Sequence, residues 1–348
     1  MGDDDRNDSV SATDGLARRR PRRLFVLAGL LGAGLVVLLG VLLRDVIPCP
    51  WRQGAARDNP FPPGALADYV PEDSEAVVAV DLRSLRESPV GRRLAPALKQ
   101  LVGKGERRFR WIDLLGVKPF DDLDNLLMSF APGSGGQPLW LARGRFDPSR
   151  FQVGPDRLEK KTVEHYRVWE YRDRQAKRST LLAPVGDALV VSDTPARVLA
   201  ALDQASHPRP LAVRDAALRE LLAKVDHGQT LWLAVSFKNL GPLAKFDNFW
   251  MELILAPLFK YAESVHGGLT CAEDLRVELH FRAATEENAE KLEADLKHIR
   301  DLAAGAALLP GSSRELRPLF RLLENSQTSR EGRAVSLRCR LAGEQLDG

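Results

Sequence analysis

The chain has 348 residues and a formal net charge of +3, from 50 Lys and Arg against 47 Asp and Glu. At 44% hydrophobic it is long enough for one large core or two modest ones. The near-balanced charge excludes a domain-wide field for nucleic acid or an anionic surface, and the three cysteines, Cys49, Cys271 and Cys339, exclude a disulfide scaffold or a paired-cysteine zinc site.

In chain order, residues 1–23 carry six Arg and five Asp. The first 17 of these show no periodicity, and the segment reads as a disordered, basic cytoplasmic tail. Residues 24–43, LFVLAGLLGAGLVVLLGVLL, hold no charge, no proline and no hydrogen-bonding side chain. As a helix this run spans about 30 Å, the thickness of a bilayer's hydrocarbon core, so a transmembrane anchor is expected. Arg18, Arg19, Arg20, Arg22 and Arg23 precede it and only Arg44 follows beside Asp45. That excess implies a single-pass signal-anchor in the inner or cytoplasmic membrane, N-terminus cytoplasmic and C-terminal domain extracytoplasmic. A cleaved signal peptide would need a shorter apolar region and a small-x-small site, which Arg44-Asp45-Val46-Ile47-Pro48-Cys49-Pro50 does not supply. Pro48 before Cys49 argues against lipidation, and Arg22-Arg23-Leu24-Phe25 only faintly resembles a twin-arginine signal. Gly29 and Ala33 form a small-xxx-small pair through which a homodimer could pack, although glycine is frequent in bilayer helices for other reasons.

Residues 44–64 turn to proline and polar residues and read as a stalk. Ala76-Val77-Val78-Ala79-Val80 is a continuous β-branched run, the pattern of a strand buried on both faces. Ser88-Pro89 is a helix start, with Val90, Leu94, Leu98 and Leu101 at helical spacing. Residues 109–115 suggest a short helix; 126–130, 138–144 and 162–171 read as strands, and 181–183 and 188–192 as a hairpin about Pro184-Val185-Gly186-Asp187. Thr194-Pro195 opens a helix with Val198, Leu199 and Leu202 on one side.

The run from Ser206 to Pro210 breaks the pattern. Thr230 to Phe237 then echoes the first buried strand. Leu275, Val277, Leu279 and Phe281 alternate with Arg276, Glu278, His280 and Arg282, a half-exposed strand. Thr285 caps a helix whose stripe is Ala289, Leu292, Leu296, Ile299 and Ala303, and Val335, Leu337, Cys339 and Leu341 alternate with Ser336, Arg338 and Arg340. Strands with one wet face imply antiparallel pairing. The expected fold class is α+β: an N-terminal transmembrane helix, then mostly antiparallel sheets with packed helices, with two similar halves, 65–206 and 207–348, as an option.

Tyr69-Val70-Pro71-Glu72-Asp73 leading into VVAVDL, the element GRFDPSRF at 144–151, GDALVVSDTPARVLAAL at 186–202 and DLRVELHFRAATEENAEKL at 274–292 together resemble a group of uncharacterised bacterial membrane-anchored or secreted proteins. That resemblance covers most of the chain after the stalk and implies no catalytic residues.

No phosphate-binding loop, nucleophile elbow or HExxH occurs, so no cofactor, metal or catalytic residue is expected. Ser134 lacks the glycine two residues upstream that an elbow needs, and His266-Gly267-Gly268 resembles a fragment of an oxyanion-hole motif but reads better as a helix end. Asp121, Asp122 and Asp124 could hold a hard cation, yet aspartates at a helix start are the plainer reading. Glu278 and His280, between Arg276 and Arg282, could hold an anion or shuttle a proton; a salt-bridged polar face is preferred. Should one disulfide form, Cys271 with Cys339 is favoured because both belong to strands of the same half, while buried free thiols are the simpler expectation. Residues 246–265 are the one stretch richer in apolar groups than a core obviously requires. Phe246, Phe249, Trp250, Leu253, Ile254 and Tyr261 are the candidate ligand-binding residues there, for an apolar or lipid-like ligand. The leading functional expectation is a non-enzymatic interaction or scaffold protein of the cell envelope with an envelope protein as partner and no nucleic acid; lipid-like ligand binding comes second and an enzyme of unrecognised type third.

Overall fold

The computed structural model describes residues 66, 69–94, 114–131, 138–147, 151, 153, 158–173, 178–185, 187–206, 213–238, 260–307 and 317–346. Its organising pair is β1 (Ala76–Asp81) and β8 (Leu231–Ser236), both apolar almost throughout. Alternate side chains of β1 enter different cores, Val78 and Val80 one and Val77 and Ala79 the other. A strand with no face fit for water belongs at the centre of a covered sheet, and β1 and β8 pair there antiparallel, with Val78 opposite Leu233.

From β1 the sheet continues through β2 (Leu123–Phe130), β3 (Leu139–Gly144), β7 (Ala188–Ser192), β6 (Arg178–Val185), β5 (Tyr166–Asp173) and β4 (Leu158–Val163). From β8 it continues through β9 (Ala262–Cys271), β10 (Asp274–Ala283), β12 (Ala334–Ala342) and β11 (Gln327–Glu331). Among the described residues the twelve named strands form one sheet, and each of its ladders is antiparallel. The outermost strands carry exposed charge, Glu159 and Lys160 on β4 and Arg330 and Glu331 on β11, which discourages pairing with another chain.

Helices cover the sheet unevenly. Asp81 caps α1 (Leu82–Glu87), its carboxylate accepting from the Ser84 N–H at 2.8 Å. Ser88 Oγ accepts from the Gly91 N–H at 2.9 Å and opens the helical run 89–94. Gly91 has no room for a side chain, since a Cβ there would fall 1.8 Å from the Leu85 carbonyl oxygen. A short α2 (Pro119–Asp122) leads into β2. On one face α3 (Pro195–Ser206) and α4 (Ala216–Lys224) bring Val198, Leu202, Leu218 and Leu222 into the core that holds Leu127, Leu141, Val190 and Trp232. On the other face α5 (Glu286–Ala307), with Thr285 Oγ1 accepting from the Asn288 N–H at 3.1 Å, brings Ala289, Leu292 and Leu296 into the core that holds Val277, Phe281, Val335 and Leu337; α6 (Arg317–Glu324) adds Leu322.

Three expectations change. The α+β class gives way to a molecule dominated by a single antiparallel sheet with few helices, because two doubly buried strands share one ladder and fuse what would have been separate sheets. Strands before residue 207 lie on the β1 side of that ladder and those after it on the β8 side. The transmembrane, single-pass, signal-anchor reading finds no counterpart: among the described residues no helix is long and apolar enough to cross a membrane, and residues 24–43, with Gly29 and Ala33, lie outside them. Even the long α5 is studded with charge, as its sequence EENAEKLEADLKHIRDLAAGAA shows. Finally, the strand read over 162–171 is a hairpin, β4 and β5, turning at Glu164-His165, where Glu164 takes φ 54°.

Cys271 and Cys339 are buried free thiols, each pushed up to about 12 by burial. They lie on β9 and β12 with β10 between, opposite Leu275 and Val277, so more than two strand spacings, over roughly 9–10 Å, separate them, beyond the reach of a disulfide.

One polar knot sits inside this fold. Arg197 of α3 is 4% exposed; it donates to the Ser129 carbonyl at 2.9 Å and to Ser129 Oγ at 2.8 Å, and Asp73 Oδ1 lies 3.4 Å from its Nε. Burial lowers its pKa, with Asp73 opposing. The Arg197→Ala variant strands these acceptors and is expected to lose about 2–3 kcal/mol, read as a lower urea midpoint at unchanged slope; an unchanged midpoint contradicts the assignment.

Candidate functional site

Side chains alternate along a strand, so those of β10 that are not in the core, Arg276, Glu278, His280 and Arg282, project to the opposite face. The ladder sets Arg340 opposite Arg276, Arg338 opposite Glu278 and Ser336 opposite His280, while His266 of β9 stands beside His280 on its other side. The α3–α4 layer reaches β8 and β9, and beyond it the face opens to solvent, with Arg276, Arg338 and Arg340 side chains 61, 61 and 72% exposed.

His280 is the hub. Its Nδ1 is 3.0 Å from Ser336 Oγ, its Nε2 is 3.3 Å from Glu278 Oε1, and its ring stacks on that of His266 with centroids 5.0 Å apart. Glu278 Oε1 also accepts from Arg338 Nε at 2.8 Å. That guanidinium, against some burial and with help from His280, holds the Glu278 carboxyl below the ordinary range. At the end of the row Asp274 Oδ2 accepts from Arg276 Nε at 3.0 Å and from Arg340 Nε at 2.6 Å. Burial works to raise the Asp274 carboxyl, and the two guanidiniums outweigh it and lower it. The His266 imidazole is pushed down to about 4, first by burial, then by the neighbouring His280 and Lys224.

His266-Gly267-Gly268 is thus the middle of β9 and not a helix end. Gly267 takes φ +134°, and a Cβ there would fall 2.1 Å from the Glu278 carbonyl oxygen. This close approach needs glycine and keeps the two imidazole-bearing strands in register.

Ser336, His280 and Glu278 form a hydroxyl–imidazole–carboxylate relay in outline. Acyl transfer needs donors aimed at a developing oxyanion as well, and β12 is laddered on both sides, by β10 and by β11, which occupies its backbone amides. The geometry is that of an exposed, charged face carried on paired strands.

Of the sequence candidates, Phe246, Phe249, Trp250, Leu253 and Ile254 lie outside the described residues, as does Ser134. Tyr261 is described: it is partly buried against the larger core, with Lys260 Nζ 5.0 Å from its ring centroid. The apolar stretch 246–265 runs into strand at its end, since β9 begins at Ala262. Asp121 and Asp122 sit in the short α2 and Asp122 Oδ2 accepts from the Lys118 N–H at 2.8 Å, whereas Asp124 accepts from Arg86 at 2.9 Å. Among the described residues no group of three His, Cys, Asp or Glu side chains is placed to hold a metal. Trp140 and Tyr171 are buried in the larger core, which Trp169 packs against, and Tyr166 Oη donates to Asp203 at 2.6 Å. The alternation of β10 and β12 had marked Glu278, His280, Ser336, Arg338 and Arg340 as one polar face each. It carried no sign that the two faces meet, and His266 was hidden by a helical reading of its neighbours.

No family model, curated protein or solved structure matches the chain, so the function is argued from this geometry.

Since the folded-state pKa of His266 lies below the usual 6.5, the unfolded chain binds the proton more readily. The stability this residue contributes is complete above about 6.5 and is lost as pH falls toward about 4. Urea midpoints measured across this window are expected to fall more steeply for the wild type than for His266→Asn; superimposable profiles contradict the burial of this ring.

Proposed function

We propose that the protein is a non-enzymatic interaction or scaffold module whose working surface is the open face of β9, β10 and β12. The supporting observation is the uneven cover of the sheet: the β1 side carries core on both faces, whereas Arg276, Arg338 and Arg340 stand in solvent on paired strands. A site on strands is positioned more precisely than one on loops, and a flat array of fixed charges selects partners by complementarity. For location only the sequence bears: the arginine-flanked apolar run at 24–43 favours a cell-envelope position with the sheet outside the cytoplasm.

The test is site-specific photo-crosslinking in the native cells. A photo-reactive residue at Ala334 or Ala342, the exposed outer-face positions at the two ends of β12, is expected to trap a discrete protein partner, and one at the exposed Glu290 of α5 is not. Equal trapping at all three positions, or none at the β12 pair, contradicts the proposal.

A further inference from the structure

We infer that this face recognises an acidic segment in extended conformation, an inference that rests on the interaction reading above and names the chemistry of the partner. Arg276, Arg282, Arg338 and Arg340 project from it against the carboxylates Asp274 and Glu278, with Glu331 of β11 beside Ala334 on the same face and the Lys224–Glu220 pair of α4 near His266, five positive groups to four negative. The positive excess lies at Arg276, Arg338 and Arg340, which share the two carboxylates Asp274 and Glu278.

The arrangement of the guanidiniums is specific. Arg276 and Arg340 stand directly opposite each other, a like-charge pairing that disfavours a ladder. Asp274, with its side chain 8% exposed, holds both from beneath through their Nε atoms. One carboxylate beneath two guanidiniums leaves one positive charge unneutralised at the surface. An arginine has five N–H donors, so each retains its outer pair for a bidentate bond to a carboxylate. Arg338 is likewise held through its Nε by Glu278, while Arg282 lies in the field of Glu220 on α4.

Spacing then selects the ligand. Arg338 and Arg340 are two residues apart on β12, which sets them about 6.8 Å apart along the strand. Alternate side chains of an extended peptide repeat at the same interval, so acidic residues at every second position meet successive guanidiniums. The patch is three strands wide, roughly 10 Å between its outer strands, which suits a short segment. Its rings are the stacked pair of His266 and His280 at 34% side-chain exposure for the latter, and among the described residues the patch carries no exposed aromatic platform of the kind single-stranded nucleic acid stacks on.

The test uses the intact protein and a dye-labelled peptide of alternating aspartate and serine, read by fluorescence anisotropy at low ionic strength. Binding is expected, together with loss on substituting asparagine for aspartate and a drop in affinity of at least about tenfold in the R338A/R340A variant. The charge-matched control K297A/R300A, on the exposed side of α5, is expected to bind as the wild type does. Unfolding midpoints of both variants establish that they are folded. Equal binding by R338A/R340A and wild type, or tighter binding of oligothymidylate than of the aspartate peptide, overturns the inference. So does failure to bind the peptide by protein whose β12 positions still cross-link a partner in cells; that result leaves the interaction reading standing and removes only its acidic chemistry.

Discussion

The pairing of β1 with β8 is the constraint from which the rest follows. Both strands place large apolar side chains alternately on two faces, Val78 against Leu233 in one layer and Val77 and Trp232 in the other. Each such side chain contributes about 1.5–3 kcal/mol only if removed from water, so the pair must lie where both faces are covered. That requirement places it at the middle of the sheet, aligns the strands outward from it on both sides, and demands a helical layer above and below.

The layers are unequal because the strands farther out are unequal. On the β1 side β7 keeps apolar residues on both faces: α3 covers the face of Ala188 and Val190, and Leu189 and Val191 enter the other core with Leu82, Leu85 and Phe120. On the β8 side β10 and β12 alternate, giving α5 and α6 one apolar face to cover and leaving the other wet. An antiparallel sheet tolerates a solvated face, and here that face is filled with arginine, glutamate and histidine cross-linked strand to strand. Isolated ion pairs at such exposure stabilise little. Their geometry is consistent along the face, with Asp274 beneath two guanidiniums and His280 between Ser336 and Glu278, and it is on this arrangement that the proposed recognition draws.

The features legible in the sequence are those set by local periodicity. The buried run of β1, the alternation of β10 and β12, the caps at Ser88 and Thr285 and the stripe of α5 all depend on neighbours a few residues away. What was not legible depends on distant partners or on unmarked turns. The β4–β5 hairpin turns through a left-handed glutamate where glycine or asparagine would have announced it. In β9 the His-Gly-Gly run imitates a helix end, since its glycines serve close approach to β10 and not chain reversal. The fusion of all strands into one sheet rests on the β1–β8 ladder between residues more than 150 apart in sequence, which periodicity does not encode. The site followed the same rule: each polar row could be read separately, and their union could not.

The account stands on one face of the sheet being open beyond α4. Arginine-specific modification with a dicarbonyl reagent, followed residue by residue by mass spectrometry on the native full-length chain, measures this directly. Arg276, Arg338 and Arg340 are expected to react at rates near those of the unfolded protein, while Arg143 and Arg197, with side chains 4% exposed, stay unmodified until unfolding. Protection of Arg338 and Arg340 equal to that of Arg197 would mean that the chain covers this face itself, and would contradict the account.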